Sequence, residues 1–195
     1  MSALEFTERK QFELGETGWQ EFRKNDVIDD LDMKKGCIDI VSQFFTEGKQ
    51  MDYAENGMEG RCEIANQFYE DIKEEMGITA TLCFDPTMAP NELGGYDPQT
   101  DTIRLNANYL ENGDCTGLME TILHESRHAY QHRCVDHPEL STLSDTLIAA
   151  WKENLEHYIR PEFDFVAYEN QEVEKDSNYF AGTTLRDGIY NANFA

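Results

Sequence analysis

Apolar positions recur with a helical period along most of this chain and give way to a strand-like texture in one short region. From about Asp26 to Phe45, Val27, Ile28, Leu31, Cys37, Ile38, Val41 and Phe44 predict one or two helices, with Gly36 a candidate break. Gly48 to Gly60 reads as a polar connector. Gly60 to Met76 is amphipathic, with Cys62, Ile64, Ala65, Phe68, Ile72 and Met76 on its apolar side and Gly77 placed to end it. Ile78 to Phe84 is β-prone and stops at Asp85-Pro86. Leu93 to Asp97 and Thr102 to Asn106 flank Pro98-Gln99-Thr100-Asp101, which predicts a hairpin. The result is a small antiparallel sheet. Its last strand either offers an edge to an extended peptide or only completes the core.

The next apolar stripe, Met119, Ile122, Leu123, Ser126, Ala129, Tyr130 and Arg133, predicts a helix. Asp114 or Thr116 can cap its start, and Pro138 marks its end. Ser141 to Ile159 reads as another helix, through Leu143, Leu147, Ile148, Trp151, Leu155 and Tyr158. Phe163 to Phe180 reads as a final long one, with Phe165, Val166, Val173 and Phe180 apolar and a stop near Gly182. A polar, aromatic tail runs on to Ala195. Residues 1–25 mix Phe6, Phe12, Trp19 and Phe22 with many charges, which suggests an arm that packs its aromatics on the body. Together these elements predict a single α+β domain of 195 residues, mostly helical, with a small sheet just before the Met119–Arg133 helix. Residues 1–60 form a helical N-terminal extension of that domain. No repeat or linker argues for a second domain.

Composition narrows the function. A formal net charge of −23 disfavours nucleic acid and anionic membrane surfaces as partners. No apolar run reaches membrane-spanning length, and the N-terminus has neither a basic region nor an apolar one of signal-peptide type. The expectation is a chain that is cytoplasmic or is delivered without such a signal. Cys37, Cys62, Cys83, Cys115 and Cys134 form no CxxC pair, the pattern of reduced thiols rather than of a disulfide framework. Oligomeric state leaves no signature here.

The chemistry concentrates at His124-Glu125-Ser126-Arg127-His128. On a helix, His124 and His128 share one face about 6 Å apart along the axis, a spacing that lets two imidazoles hold one Zn²⁺. Glu125 projects beside them, placed to act as a general base. A catalytic Zn²⁺ needs a third protein ligand. His132, His137 and His157 are the remaining histidines, but each fits a surface or supporting role better. A carboxylate from the last helix is the stronger source. Glu174 shares a face with Gln171, Ser177 and Asn178, so Asn178 could support an imidazole from behind. Glu172, with Asp176 one turn on, is the rival ligand.

His124-Glu125-x-x-His128 with Glu174-x-x-Ser177-Asn178 some fifty residues later resembles the gluzincin branch of the zincin metallopeptidases. The likeness covers residues 61–182 as a catalytic core, most clearly from about residue 78. The family's second motif is Glu-x-x-Ala-Asp or Glu-x-x-x-Asp, so Ser177 and Asn178 depart from it. The stretch His124-Glu125-x-Arg127-His128-x-x-Gln131 with Tyr168-x-x-Gln171-x-x-Glu174 is also similar, more loosely, to small zincin-like domains of phage-associated and toxin-like bacterial proteins. The resemblance implies zinc-dependent hydrolysis of a peptide or protein substrate, with Glu125 as base and His124, His128 and Glu174 as ligands. Tyr168, Tyr179, His157 and Arg127 are candidates to stabilise the oxyanion, although Arg127 on so acidic a chain fits an ion pair better. The alternative is a zincin fold that has lost activity and serves in binding or structure.

Overall fold

The computed structural model describes residues 27–194, so the N-terminal arm expected over residues 1–25 lies outside the described residues. Helix α1 (Asp30–Thr46) is capped by Asp29, whose carboxylate accepts from the backbone N–H groups of Leu31 and Asp32. It buries Met33, Cys37, Val41 and Phe44 and passes Gly36 without a break. The segment expected as a connector holds a second helix, α2 (Lys49–Glu55), entered through Gly48 at φ +73°. Its one buried side chain, Tyr53, donates its hydroxyl to the Leu110 carbonyl at 2.8 Å. One buried side chain in seven leaves no periodic signal, although it suffices to dock the helix. Helix α3 (Met58–Met76) buries Cys62, Ala65, Phe68, Tyr69, Ile72 and Met76 and ends on Gly77 at φ +61°.

Strands β1 (Thr81–Asp85), β2 (Gly94–Asp97) and β3 (Thr102–Asn106) form a mixed sheet in the order β1-β3-β2. The hairpin of β2 and β3 is antiparallel as expected, but β1 pairs with β3 in parallel. The expected antiparallel sheet is therefore corrected to a mixed one. Its last strand is also the central one and cannot receive a peptide, because both its edges are paired. Ile103 and Leu105 of β3 are fully buried. Asn106 then turns the chain into α4 (Ala107–Asn112): its amide accepts from Asn108 and donates to the carbonyls of Ala89 and Glu92.

Helix α5 (Cys115–Asp136) carries the His-Glu-x-x-His stretch and runs through the middle of the packing, against α3, α8, β2 and β3. Asp114 caps it by accepting from Gly117 N–H. The expected stripe is buried except for the half-buried Arg133, and Thr121, Glu125, Arg127, Gln131 and Cys134 are buried as well. A 3-10 turn (Pro138–Leu140) leads to α6 (Asp145–Glu156), capped by Ser144 and anchored by Trp151. The expected long helix from Phe163 to Phe180 divides into a short α7 (Phe165–Glu169) and α8 (Glu172–Ala192), which continues well past Gly182. Phe165 and Val166 are exposed rather than part of the core.

Helix α8 packs on both α1 and α5 along Glu174, Ser177, Ala181, Thr184 and Gly188, spaced by three and four residues. The small side chains permit close approach. A Cβ on Gly188 would lie 2.5 Å from Val41 Cβ and 3.0 Å from the Ile38 carbonyl oxygen. That closeness carries Glu174 to the histidines. Among the described residues no helix is long and apolar enough to cross a membrane.

Candidate metal centre

His124 and His128 lie one turn apart on α5, and Glu174 enters from the first turn of α8. The two Nε2 atoms are 3.0 Å apart. Glu174 Oε2 lies 3.5 Å from His124 Nε2, and Oε1 lies 3.4 Å from His128 Nε2. Four-coordinate Zn²⁺ with bonds of about 2.0–2.1 Å sets neighbouring ligand atoms roughly 3.3–3.4 Å apart. The two carboxylate contacts match that spacing, one through each oxygen, and the two imidazole nitrogens lie a few tenths of an ångström inside it. His124, His128 and Glu174 are the one group of three His, Cys, Asp or Glu side chains among the described residues whose ligand atoms converge in this way. Glu172, the rival acid, is exposed and pairs with Lys175 at 3.5 Å.

Electrostatics fit a cation at the same point. The Glu174 side chain is fully buried, and its Oε2 accepts no hydrogen bond. Burial alone would push this carboxyl up. Contacts with His124, with His128 and with the Tyr158 hydroxyl outweigh it and hold the group well below the usual carboxylate range. Burial likewise disfavours a charged His128, but Glu174 raises its pKa, helped by Glu125 and Gln131. Two imidazole nitrogens and a carboxylate thus face one small space, and a proton or a metal ion satisfies them.

The far side of His128 is built as carefully. Gln131 Oε1 sits 2.9 Å from His128 Nδ1. Its Nε2 donates to the Val173 carbonyl at 2.9 Å, to Asp176 at 2.8 Å and to Ser177 at 3.2 Å. With the amide nitrogen committed to acceptors, its oxygen must receive a hydrogen from Nδ1, which leaves the Nε2 lone pair of His128 for a metal. Ser177 Oγ is 3.3 Å from the same Nδ1. Asn178, expected in this role, is exposed, so the support passes to Gln131 and Ser177.

Asp176 also binds Arg127, through Nε at 2.7 Å and Nη2 at 3.2 Å, while Nη1 reaches Asp30 at 2.7 Å. The guanidinium is enclosed by the rings of Tyr130, Trp151 and Phe180. Arg127 is an ion-pair residue, as the acidity of the chain suggested, and is not free to meet a substrate.

Glu125 is buried beside His124, and its carboxylate takes part in no hydrogen bond or ion pair among the described residues. It packs against strand β2: a Cβ on Gly94 would lie 3.3 Å from Glu125 Cγ and 2.6 Å from Thr121 Cγ2. Tyr158, expected only as an apolar position of a helix that in fact ends at Glu156, donates its hydroxyl to Glu174 Oε1 at 2.6 Å. Burial, together with Glu174, raises the pKa of both Tyr158 and Tyr168, so both stay protonated donors. Tyr179 is exposed under Lys34, and His157 contacts the Glu153 carbonyl. His132 lies against the Tyr96 ring at 5.4 Å with the two planes tilted by 58°, and His137 pairs with Glu139 at the surface. None of these four reaches the centre. The described cysteines are all free thiols.

No family model matches the chain, and no curated protein or solved structure matches it.

Proposed function

We propose that this chain is a zinc-dependent peptidase of zincin type, held together chemically by His124, His128 and Glu174. The reading rests on one observation above all. Four donor atoms of three side chains, carried on two helices, face one another at 3.0, 3.4 and 3.5 Å, with an unengaged carboxylate, Glu125, beside them. Two imidazoles and a carboxylate form a donor set suited to Zn²⁺, with a coordination position left over. A Zn²⁺ held there supplies a Lewis acid that acidifies a water and polarises a carbonyl oxygen.

The remaining work falls to the protein's own groups. Glu125 accepts the proton of the attacking water and returns it to the leaving amine. Tyr158 commits its hydroxyl hydrogen to Glu174, while Tyr168 keeps its own beside that carboxylate and can donate to the oxygen that gains negative charge. Strand β2 brings an edge of the sheet to Glu125, and its Gly94-Gly95 pair carries no side chain that would obstruct an extended peptide.

The test combines metal content with turnover. The wild-type chain should hold one Zn²⁺, lost in His124→Ala and Glu174→Ala. Wild type should cleave members of a broad peptide library, and Glu125→Gln should retain zinc while losing about 10²–10⁴-fold in rate. Equal inertness of wild type and Glu125→Gln, both with zinc bound, would assign the centre to a binding or structural role instead. Absence of stoichiometric zinc would overturn the reading altogether.

A further inference from the structure

The connection between α6 and α8, residues 157–171, breaks the rule that large apolar side chains are hidden. Phe163 is 83% exposed, Val166 67% and Phe165 58%, with Tyr158 and Ile159 just under 40%. Scattered exposed apolar residues are ordinary, but a contiguous group marks a contact surface. This group is joined to the metal centre by its own rings. The Tyr158 hydroxyl binds Glu174, the Tyr158 ring meets Tyr168 edge-on at 6.2 Å, and Tyr168 lies 6.1 Å from Phe165. A line of aromatic surface therefore runs from the ligating carboxylate to solvent.

The segment is fastened in place. Gln171, itself buried, accepts from Ile159 N–H at 2.8 Å and from Asn154 Nδ2 at 3.2 Å. Its amide nitrogen donates to the carbonyls of Ile159 and Tyr168. One amide thus ties the two ends of the strap to each other and to α6. An apolar surface held this firmly is costly to leave in water unless something is to cover it.

We infer that this strap is the side-chain recognition surface of the site and selects peptides with a large apolar residue next to the bond to be cut. The inference rests on the peptidase reading above. The other boundary shown for the site, strand β2, offers glycines beside Glu125 and so can read backbone but not side chains. Discrimination between side chains then falls to Tyr158, Tyr168, Phe165 and Val166. These four supply apolar surface, and Arg160, the one arginine or lysine of the strap, is outnumbered by Glu162, Asp164 and Glu169, so an acidic substrate residue is disfavoured there.

The test uses two peptidyl hydroxamates that differ only in one side chain, phenylalanine or aspartate, titrated calorimetrically into the zinc-loaded full-length chain. The phenylalanine compound should bind about tenfold tighter or more. Phe165→Ser combined with Val166→Ser should remove most of that preference and leave the aspartate compound unchanged. Both positions are solvent-exposed, so the fold should tolerate the change, as thermal melting will verify. Equal binding of the two compounds to wild type, or a preference that survives the double substitution, overturns the inference and leaves the peptidase reading standing. Failure of both hydroxamates to bind the zinc-loaded chain overturns the two together.

Discussion

Gln131 Oε1 and His128 Nδ1 lie 2.9 Å apart, and this contact fixes which nitrogen of His128 faces His124 and Glu174. Gln131 is completely buried and its amide nitrogen already serves Val173, Asp176 and Ser177, so the amide cannot rotate to offer the ring a second donor. Removing such support from a ligating imidazole costs about 10–100-fold in metal affinity. Gln131→Leu should weaken Zn²⁺ binding by that factor in a chelator competition. Gln131→Glu restores an acceptor for Nδ1 and should keep affinity within a few-fold of wild type. It should nonetheless melt earlier, because its carboxylate would confront Asp176. Equal loss of affinity in both variants would make Gln131 a packing residue only.

Metal-free stability should pass through a maximum in mildly acidic solution. Glu174 has a lowered pKa in the folded chain, so its contribution is present above the unfolded carboxylate value near 4.3 and fades as pH falls through the folded one. His128 has a raised pKa, so its contribution is complete below the unfolded imidazole value near 6.5 and is lost as pH rises through the folded one. Both are in force between about pH 4.3 and 6.5. Urea midpoints measured across pH in the presence of EDTA should show this window, and Glu174→Gln should flatten it at both ends. Zn²⁺ competes with the His128 proton, so its affinity should climb with pH until that proton is lost.

How much of this could be read from the chain depends on whether the signal is local. His124, Glu125 and His128 stand within one helical turn, and their spacing alone aligns them. Glu174 is remote, but it heads a row of small residues at 177, 181, 184 and 188 that lets α8 approach closely, and that row is also in the sequence. Asn178 failed as a supporting residue because it lies roughly 90° around the helix from the centre of that row. Gln131 could have been found: three residues beyond His128, it faces the same side of the same helix. Tyr158 could not, since it follows the end of α6 and only the strap tied by Gln171 carries it back to Glu174. The order of the strands was equally hidden. Alternation in β3 states that Ile103 and Leu105 are buried, but not which strand lies on either side or in which direction it runs.

Arg127 joins three helices, with Asp30 on α1 and Asp176 on α8. Breaking a buried ion pair from one side costs about 3–5 kcal/mol, chiefly through the charge left behind. Asp30 and Asp176 retain 20% and 24% side-chain exposure and can turn partly to water, so the expected cost of Arg127→Met is nearer 2–3 kcal/mol. For a chain of this length that is a fall in Tm of about 5–10 °C. Arg127→Lys should recover only part of it, because one ammonium cannot reproduce a two-pronged bond to Asp176 and also reach Asp30. Calorimetric melting of the two variants would measure both differences.

Under the peptidase reading, Gly94 gives the sharpest separation between folding and catalysis. It sits on β2 where the strand crosses α5, and an added methyl would come within 2.6 Å of Thr121 Cγ2, 3.2 Å of the Arg104 carbonyl oxygen and 3.3 Å of Glu125 Cγ. The Thr121 contact is the severe one, so the strand must shift away from the helix at a cost of about 1–3 kcal/mol. That shift falls on the neighbour of Glu125. Displacement of a reacting group by about 1 Å can cost on the order of a hundredfold in rate. Gly94→Ala should therefore lower kcat/KM by tenfold to a hundredfold, on the scale of that estimate, while zinc content stays at one per chain. Thr121→Ser removes the clashing methyl and keeps the hydroxyl that donates to the Gly117 carbonyl at 2.8 Å. Added to Gly94→Ala, it should restore most of the rate although it does nothing useful alone, a coupling that a double-mutant cycle will resolve. If Gly94→Ala is as active as wild type, β2 is not the strand that frames Glu125, and an extended peptide would have to lie elsewhere.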